Sequence, residues 1–309
     1  MTMGNKHQNI CIRILDSGIN FCVLLIFLLL FSYGCYAIWD SQQIYAAGDV
    51  ANYQTYKPDE NDELSFEELK KINSDVLGWI SVYGTKIDYP LLQGEDNQKY
   101  ISTNAQGDYS MAGSIFLDYR NAPDFTDFNT IIFGHHMEKS AMFGDLEQFF
   151  KQDFFEEHKY GNLYYDGENH GIEFFAFMEV DAFDTSIYTT PVSQVQAKQE
   201  YLEMLVNKSK YFRDINVSSE DHLVLLSTCT ENTTNGRHIL VGRITDNVFP
   251  APKEENNRLG KKVYFQSGTI LEIMKKNSLA ICLFSFIGLI VLIVSIRKKR
   301  NFKKDGEDE

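Results

Sequence analysis

A chain of 309 residues, 44% apolar and 23% charged, is long enough to bury a core in one or two domains. It is too apolar for a disordered or collagen-like polymer, and its net charge of −14 argues against a nucleic-acid binder. The apolar residues are concentrated in two uncharged runs near the ends, residues 19–39 and 278–296. Each is long enough to cross ~30 Å of hydrocarbon as a helix rising about 1.5 Å per residue.

In chain order, residues 1–18 carry Lys6 and Arg13 against Asp16, and residues 297–309 open on Arg297, Lys298, Lys299 and Arg300. Basic flanks stay on the cytoplasmic side, which predicts a two-pass membrane protein with both termini cytoplasmic and residues 40–277 outside the cell. No small-x-small cleavage site lies close to Trp39, so the first run reads as an uncleaved anchor rather than a signal peptide. On this topology Cys11 is cytoplasmic and Cys22, Cys35 and Cys282 lie in or beside the spans. Cys229 is then the one external cysteine, and it has no partner for a disulfide within the external domain.

Residues 40–64 are polar and acidic and read as a stalk. The stretch after Asp59 is not a calcium loop, because Leu64 replaces the needed glycine and Lys70 the bidentate glutamate. Ser65 and Glu68 form a capping box that starts a helix before Leu69 and Ile72. Strands are predicted at 79–82 and 87–92 around Gly84-Thr85, then at 114–117 and 130–133. Apolar spacing predicts a helix over 142–155. Strands at 163–165 and 172–182 flank Asp166-Gly167, a turn sequence, and a second helix spans 192–212. Two strong strands, 222–227 and 239–244, enclose the polar stretch 230–237. Residues 251–277 read as a polar linker with one short strand at 263–265. Six or more short strands with few helices predict a small closed or half-closed β-barrel.

Three residues stand out chemically. Cys229 directly follows the apolar run 223–226, His135 follows 131–134, and Arg237 precedes 239–244, so each sits at a strand end. A thiol attacks carbonyls as thiolate, a histidine can protonate a departing amine, and an arginine can hold an oxyanion. Each has a plainer rival. Arg243 competes with Arg237, but six residues of strand separate the two by ~20 Å, so only one can serve Cys229. His136 points to the opposite face from His135 if the segment is extended. Glu231 reads as a solvated loop carboxylate, and His158, His170, His222 and His238 as surface or packing residues.

The segment Leu226-Ser227-Thr228-Cys229, with Arg237 eight residues later, resembles the active-site strand pair of sortases, the cysteine transpeptidases of Gram-positive cell surfaces. The class B subgroup is most similar. Its hallmarks recur as Val76-Leu77-Gly78-Trp79-Ile80, Gly84-Thr85-Lys86-Ile87-Asp88-Tyr89-Pro90, Gly113-Ser114-Ile115-Phe116-Leu117-Asp118, Gly134-His135 and Met142-Phe143-Gly144-Asp145-Leu146, in the family's order. The resemblance implies a mainly β protein: an eight-stranded sortase barrel with peripheral helices over 65–250, flanked by the two transmembrane helices. It implies Cys229 as nucleophile, His135 as general acid/base, Arg237 as oxyanion or substrate stabiliser, and Ser227 and Thr228 as substrate-binding residues, with no cofactor or metal. The implied reaction cleaves a C-terminal sorting motif of a secreted protein and passes the acyl group to an amine. That amine belongs to a lipid-linked peptidoglycan precursor or, in the alternative, to a pilin lysine; a non-catalytic sortase-like receptor is the third reading. Two features depart from the pattern: His136 stands where class B enzymes usually have asparagine, and the second span is similar to the two-anchor layout of pilin-polymerising sortases.

Overall fold

The computed structural model describes residues 3–58, 63–230 and 235–251. The expected second span at 278–296, the strand at 263–265, nearly all of the linker, the C-terminal tail and Glu231 lie outside the described residues. The first apolar run lies within one helix, α1 (Met3–Ala47), whose segment Ile14–Ala47 is long and apolar enough to cross a membrane. Trp39–Pro252 form a compact unit of their own.

In that unit a helix, α2 (Glu63–Ile72), precedes β1 (Val76–Val82) and β2 (Asp88–Leu92). Next come β3 (Ile115–Leu117), β4 (Asn129–Phe133) and a two-residue hairpin, β5 (His136–Met137) with β6 (Ala141–Met142). A short helix α3 (Gln152–Glu157) leads to β7 (Tyr160–Tyr165) and the long β8 (Glu168–Asp181). Helix α4 (Val195–Lys208), β9 (Tyr211–Phe212), β10 (His222–Cys229) and β11 (Gly236–Thr245) complete it. The strands pair in the order β11-β10-β4-β3-β2-β1-β7-β8, and β8 returns to β11, closing an eight-stranded barrel, with β9 paired to β8 beyond the stretch that β7 takes. The pairs β2–β3 and β4–β10 are parallel and the others antiparallel.

Strand alternation sorts the core into two layers. On β10, Val224 and Leu226 pack inside the barrel with Ile80, Ile132 and Leu240. Leu223 and Leu225 point outward and meet Ile131, Ile239, Val241 and the α4 residues Tyr201 and Leu205. Odd-numbered residues of β4, β10 and β11 therefore share the outer face that α4 covers.

The helix expected over 192–212 covers only Val195–Lys208, and residues 211–212 form β9 instead. Three further elements differ from the sequence reading, each for a local reason. The helix expected over 142–155 is a 3₁₀ turn at Gly144–Phe150 followed by the short α3. Met142 belongs to β6 with a φ of 50°, the Phe143 amide donates to the His135 carbonyl, and Asp145 accepts from the Lys86 amide, so the first turn is held open. The strands expected at 163–165 and 172–182 are longer, because Asp166 (φ 55°) and Gly167 (φ 84°) make a tight turn that lets β7 and β8 pair from its first flanking residues. Residues 48–56, read as stalk, take two 3₁₀ turns and place Tyr53, 2% exposed, in the core.

Candidate active site

The odd-numbered face of β4, β10 and β11 runs out from under α4 at one end of the barrel, and there it opens into a cleft of about 350 Å³. Cys229, Arg237 and His135 all line it, as do Ser227, Thr228 and Tyr188. Backbone register fixes the first two: Cys229 and Arg237 are directly paired on β10 and β11. His135 reaches the same place because β4 runs parallel to β10, with Phe133 opposite Ser227. Past the strand end the Gly134 amide donates to the Ser227 carbonyl at 3.2 Å, and the Thr228 hydroxyl donates to the Gly134 carbonyl at 2.8 Å. A side chain at 134 would collide with the Phe143 ring, 2.7 Å from where its Cβ would lie, so glycine lets the loop pass this close.

The thiol of Cys229 is free and exposed. His135 Nε2 lies 2.7 Å from the Ile101 carbonyl, which can only accept, so Nε2 carries a proton in this rotamer. Arg237 is half-buried, its Nη1 donates to the Gly236 carbonyl at 2.9 Å, and no carboxylate pairs with it among the described residues. Arg243 sits opposite Leu223, six residues down the strand, and is engaged by Glu173 at 2.7 Å and Asp221 at 3.8 Å. Ser227 is buried with its Oγ 3.0 Å from the Tyr188 hydroxyl, and the hydroxyl of Thr228 is taken by Gly134.

The other histidines face elsewhere. His136 Nε2 approaches Glu147 at 3.3 Å, and His238, 1% exposed, lies between the Phe150 and Phe177 rings with Glu179 at 3.8 Å. His158 stacks on Phe154 and His170 on Tyr165, while His222 Nδ1 meets the Asp127 carbonyl. Among the described residues no three His, Cys, Asp or Glu side chains converge on a metal position.

Sequence reasoning missed Tyr188, Ile101 and Arg120, which also line the cleft. Arg120 and Tyr188 lie in turns and Ile101 ends a three-residue 3₁₀ helix, all too short for periodicity to mark a facing direction. Burial, the largest influence, pushes the Tyr188 phenol above its ordinary value against the Ser227 hydrogen bond and the Arg237 charge, so the hydroxyl stays protonated and able to donate. A thiol, an imidazole and a guanidinium thus meet beside a neutral phenol, a set suited to acyl transfer through a tetrahedral intermediate.

No family model matches the chain. Sortase B of Listeria monocytogenes is 36% identical over 185 residues, spanning 59% of this chain and 74% of that protein. Among solved structures, sortase B from the type II pilus of Streptococcus pneumoniae is 48% identical, with a TM-score of 0.53 over 59% of this chain and 99% of that one. A Streptococcus pyogenes class B sortase involved in pilus biogenesis is 41% identical, with a TM-score of 0.54 over 59% and 98%.

Proposed function

Because this chain belongs to the class B sortases and is therefore a cysteine transpeptidase, we propose that Cys229 is its nucleophile, His135 its acid/base and Arg237 the group that steadies the oxyanion. The observation that carries this is the direct pairing of Cys229 with Arg237 in a cleft that His135 also lines.

The thiolate sulfur adds to the carbonyl carbon of the sorting motif, and the oxyanion forms beside the Arg237 guanidinium. His135, protonated, gives its proton to the departing amine as the C–N bond breaks, leaving a thioester on Cys229. An acceptor amine then adds to the thioester and loses a proton to His135, and the Cys229 thiolate leaves. One proton goes out on the first amine and one returns from the second, so the pair ends as it began. With Nε2 bonded to Ile101, Nδ1 is the ring atom left to exchange that proton in this rotamer.

The clients are secreted proteins bearing a C-terminal sorting motif. For the acceptor, the sequence reading put a lipid-linked wall precursor first; the higher identity to the two pilus-related structures favours the second reading, a pilin lysine. The α1 helix serves as the membrane anchor, with Lys6 and Arg13 on the cytoplasmic side and the barrel outside.

The thioester is the testable species. With a client present, hydroxylamine should release the acyl group as a hydroxamate from the wild-type chain and not from Cys229→Ala. Equal hydroxamate from both would overturn the assignment.

A further inference from the structure

Three consecutive carbonyls in the cleft wall between β8 and α4 are each held by a different side chain. The Ile187 carbonyl accepts from the Tyr201 hydroxyl at 2.6 Å, the Tyr188 carbonyl from Arg120 Nη2 at 3.1 Å, and the Thr189 carbonyl from Asn129 Nδ2 at 2.7 Å. Of these three wall residues Tyr188 alone lines the cleft, where its hydroxyl meets Ser227 two residues before Cys229. Arg120 is therefore the tether at the one of these three positions that lines the cleft with Cys229.

The other end of the tether is rigid. Arg120 forms a two-pronged pair with Asp118, Nε to Oδ1 at 2.8 Å and Nη2 to Oδ2 at 2.6 Å, and its own amide donates to Oδ1 at 3.0 Å. Asp118 is 0% exposed, directly follows β3, and its amide donates to the Ile131 carbonyl on β4 at 2.8 Å. One Nη2 nitrogen thus joins a carboxylate fixed to the barrel with a carbonyl in the irregular wall.

We propose that Arg120 is a positioning residue that holds the Tyr188 wall at a set distance from Cys229 before substrate enters. A wall held in its binding shape spares the peptide the cost of ordering it, so the benefit falls on substrate capture rather than on the chemical step. The fork geometry is essential. A lysine ammonium is a single point of charge and cannot span both carboxylate oxygens and the Tyr188 carbonyl. The rival explanation is that the pair merely neutralises a buried carboxylate, in which case losing it would loosen β3 and β4 rather than the wall.

The inference rests on the reading that this cleft takes the sorting-motif peptide, and the experiment separates the two. The full chain in detergent is compared with Arg120→Lys and Arg120→Ala, using as probe the fluorogenic pentapeptide that the wild type cleaves fastest from a library with threonine on the acyl side. Amide exchange is followed without substrate, and Cys229 labelling by a small methanethiosulfonate serves as control. The expected result for Arg120→Lys is a KM raised about ten-fold with kcat changed less than about two-fold. Exchange over residues 187–192 should quicken about ten-fold or more, while labelling of Cys229 and the Tm hold.

Unchanged exchange over 187–192 overturns the proposal, whatever the kinetics. So does faster exchange spread evenly over β3 and β4 with a fallen Tm, the mark of a purely structural pair. Wild-type turnover with KM unmoved in Arg120→Lys sinks this inference alone. Absence of wild-type turnover on every library peptide counts against the peptide-cleaving reading instead, and the exchange data still decide whether Arg120 holds the wall.

Discussion

Cys229 and Arg237 face each other across one rung of the β10–β11 ladder, so small changes at either should act locally. Cys229→Ala should abolish peptide cleavage and transfer in a turnover assay. Its exposed position predicts a stability change under about 1.5 kcal/mol by urea unfolding. Arg237→Lys keeps the charge and loses the fork, so turnover should fall ~10²-fold or more, whereas Arg243→Lys should stay within about two-fold because that residue serves Glu173 and Asp221. A larger loss for Arg243 would mean the strand register is wrong. His238 supplies a pH test of the folded state. Burial, the dominant influence, holds its pKa below the ordinary value although Glu179 and Glu147 pull it up and His136 and Lys210 push it down. The unfolded chain therefore binds the proton more tightly, and stability should be full above about pH 6.5 and decline as pH falls from there through the folded value. In His238→Phe, which suits a site between Phe150 and Phe177, the urea midpoint should lose that slope as pH falls below about 6.5.

The strands show which signals survive in sequence. The run 223–226 leading to Cys229 was legible because continuous apolar residues bounded by polar ones mark a strand buried on both faces, here by the barrel interior and by α4. His135 and Arg237 were legible for the same reason, as polar residues at the ends of such runs. Tyr188, Ile101 and Arg120 were not, since turns and a three-residue 3₁₀ helix are too short to show a period, and the 187–189 wall is held by partners as distant in sequence as Arg120 and Asn129. The 142–155 stretch failed differently: its apolar spacing is real, but Phe143, Leu146 and Phe149 pack inward from a 3₁₀ turn. The hairpin formed by β5 and β6 depends on one buried phenol. The Tyr89 hydroxyl donates to the Gly48 carbonyl at 2.9 Å and accepts from the Met142 amide at 3.1 Å. Tyr89→Phe removes one atom and orphans both groups. Urea unfolding should show a loss of about 1–3 kcal/mol, and a neutral result would mean that water reaches the site.

At the scale of the chain, the point where the compact unit begins is the feature that polar composition conceals. Residues 40–56 are rich in polar side chains, yet they enter the compact unit Trp39–Pro252 and contribute to its interior. Tyr53 is 2% exposed and meets the Tyr89 ring edge-on at 6.3 Å, while Ala47, Val50 and Tyr56 pack against the same core. Asn52 Nδ2 caps the end of α1 through the Ala46 carbonyl at 2.8 Å, and Lys57 pairs with Asp88 at 2.8 Å. A fragment starting at residue 39 retains all of these contacts; one starting at residue 58 loses them while keeping α2 and every strand. Losing a buried aromatic alone costs about 3–5 kcal/mol, and leaving the Tyr89 hydroxyl without Gly48 adds to it. For a unit of this size, each kcal/mol lowers the midpoint by roughly 2–4 °C, so the shorter fragment should unfold about 6–20 °C below the longer one. Differential scanning calorimetry of the two fragments measures this directly. Equal midpoints would mean that residues 39–57 lie on the barrel without bracing it, and that the domain begins where its polar composition first suggested.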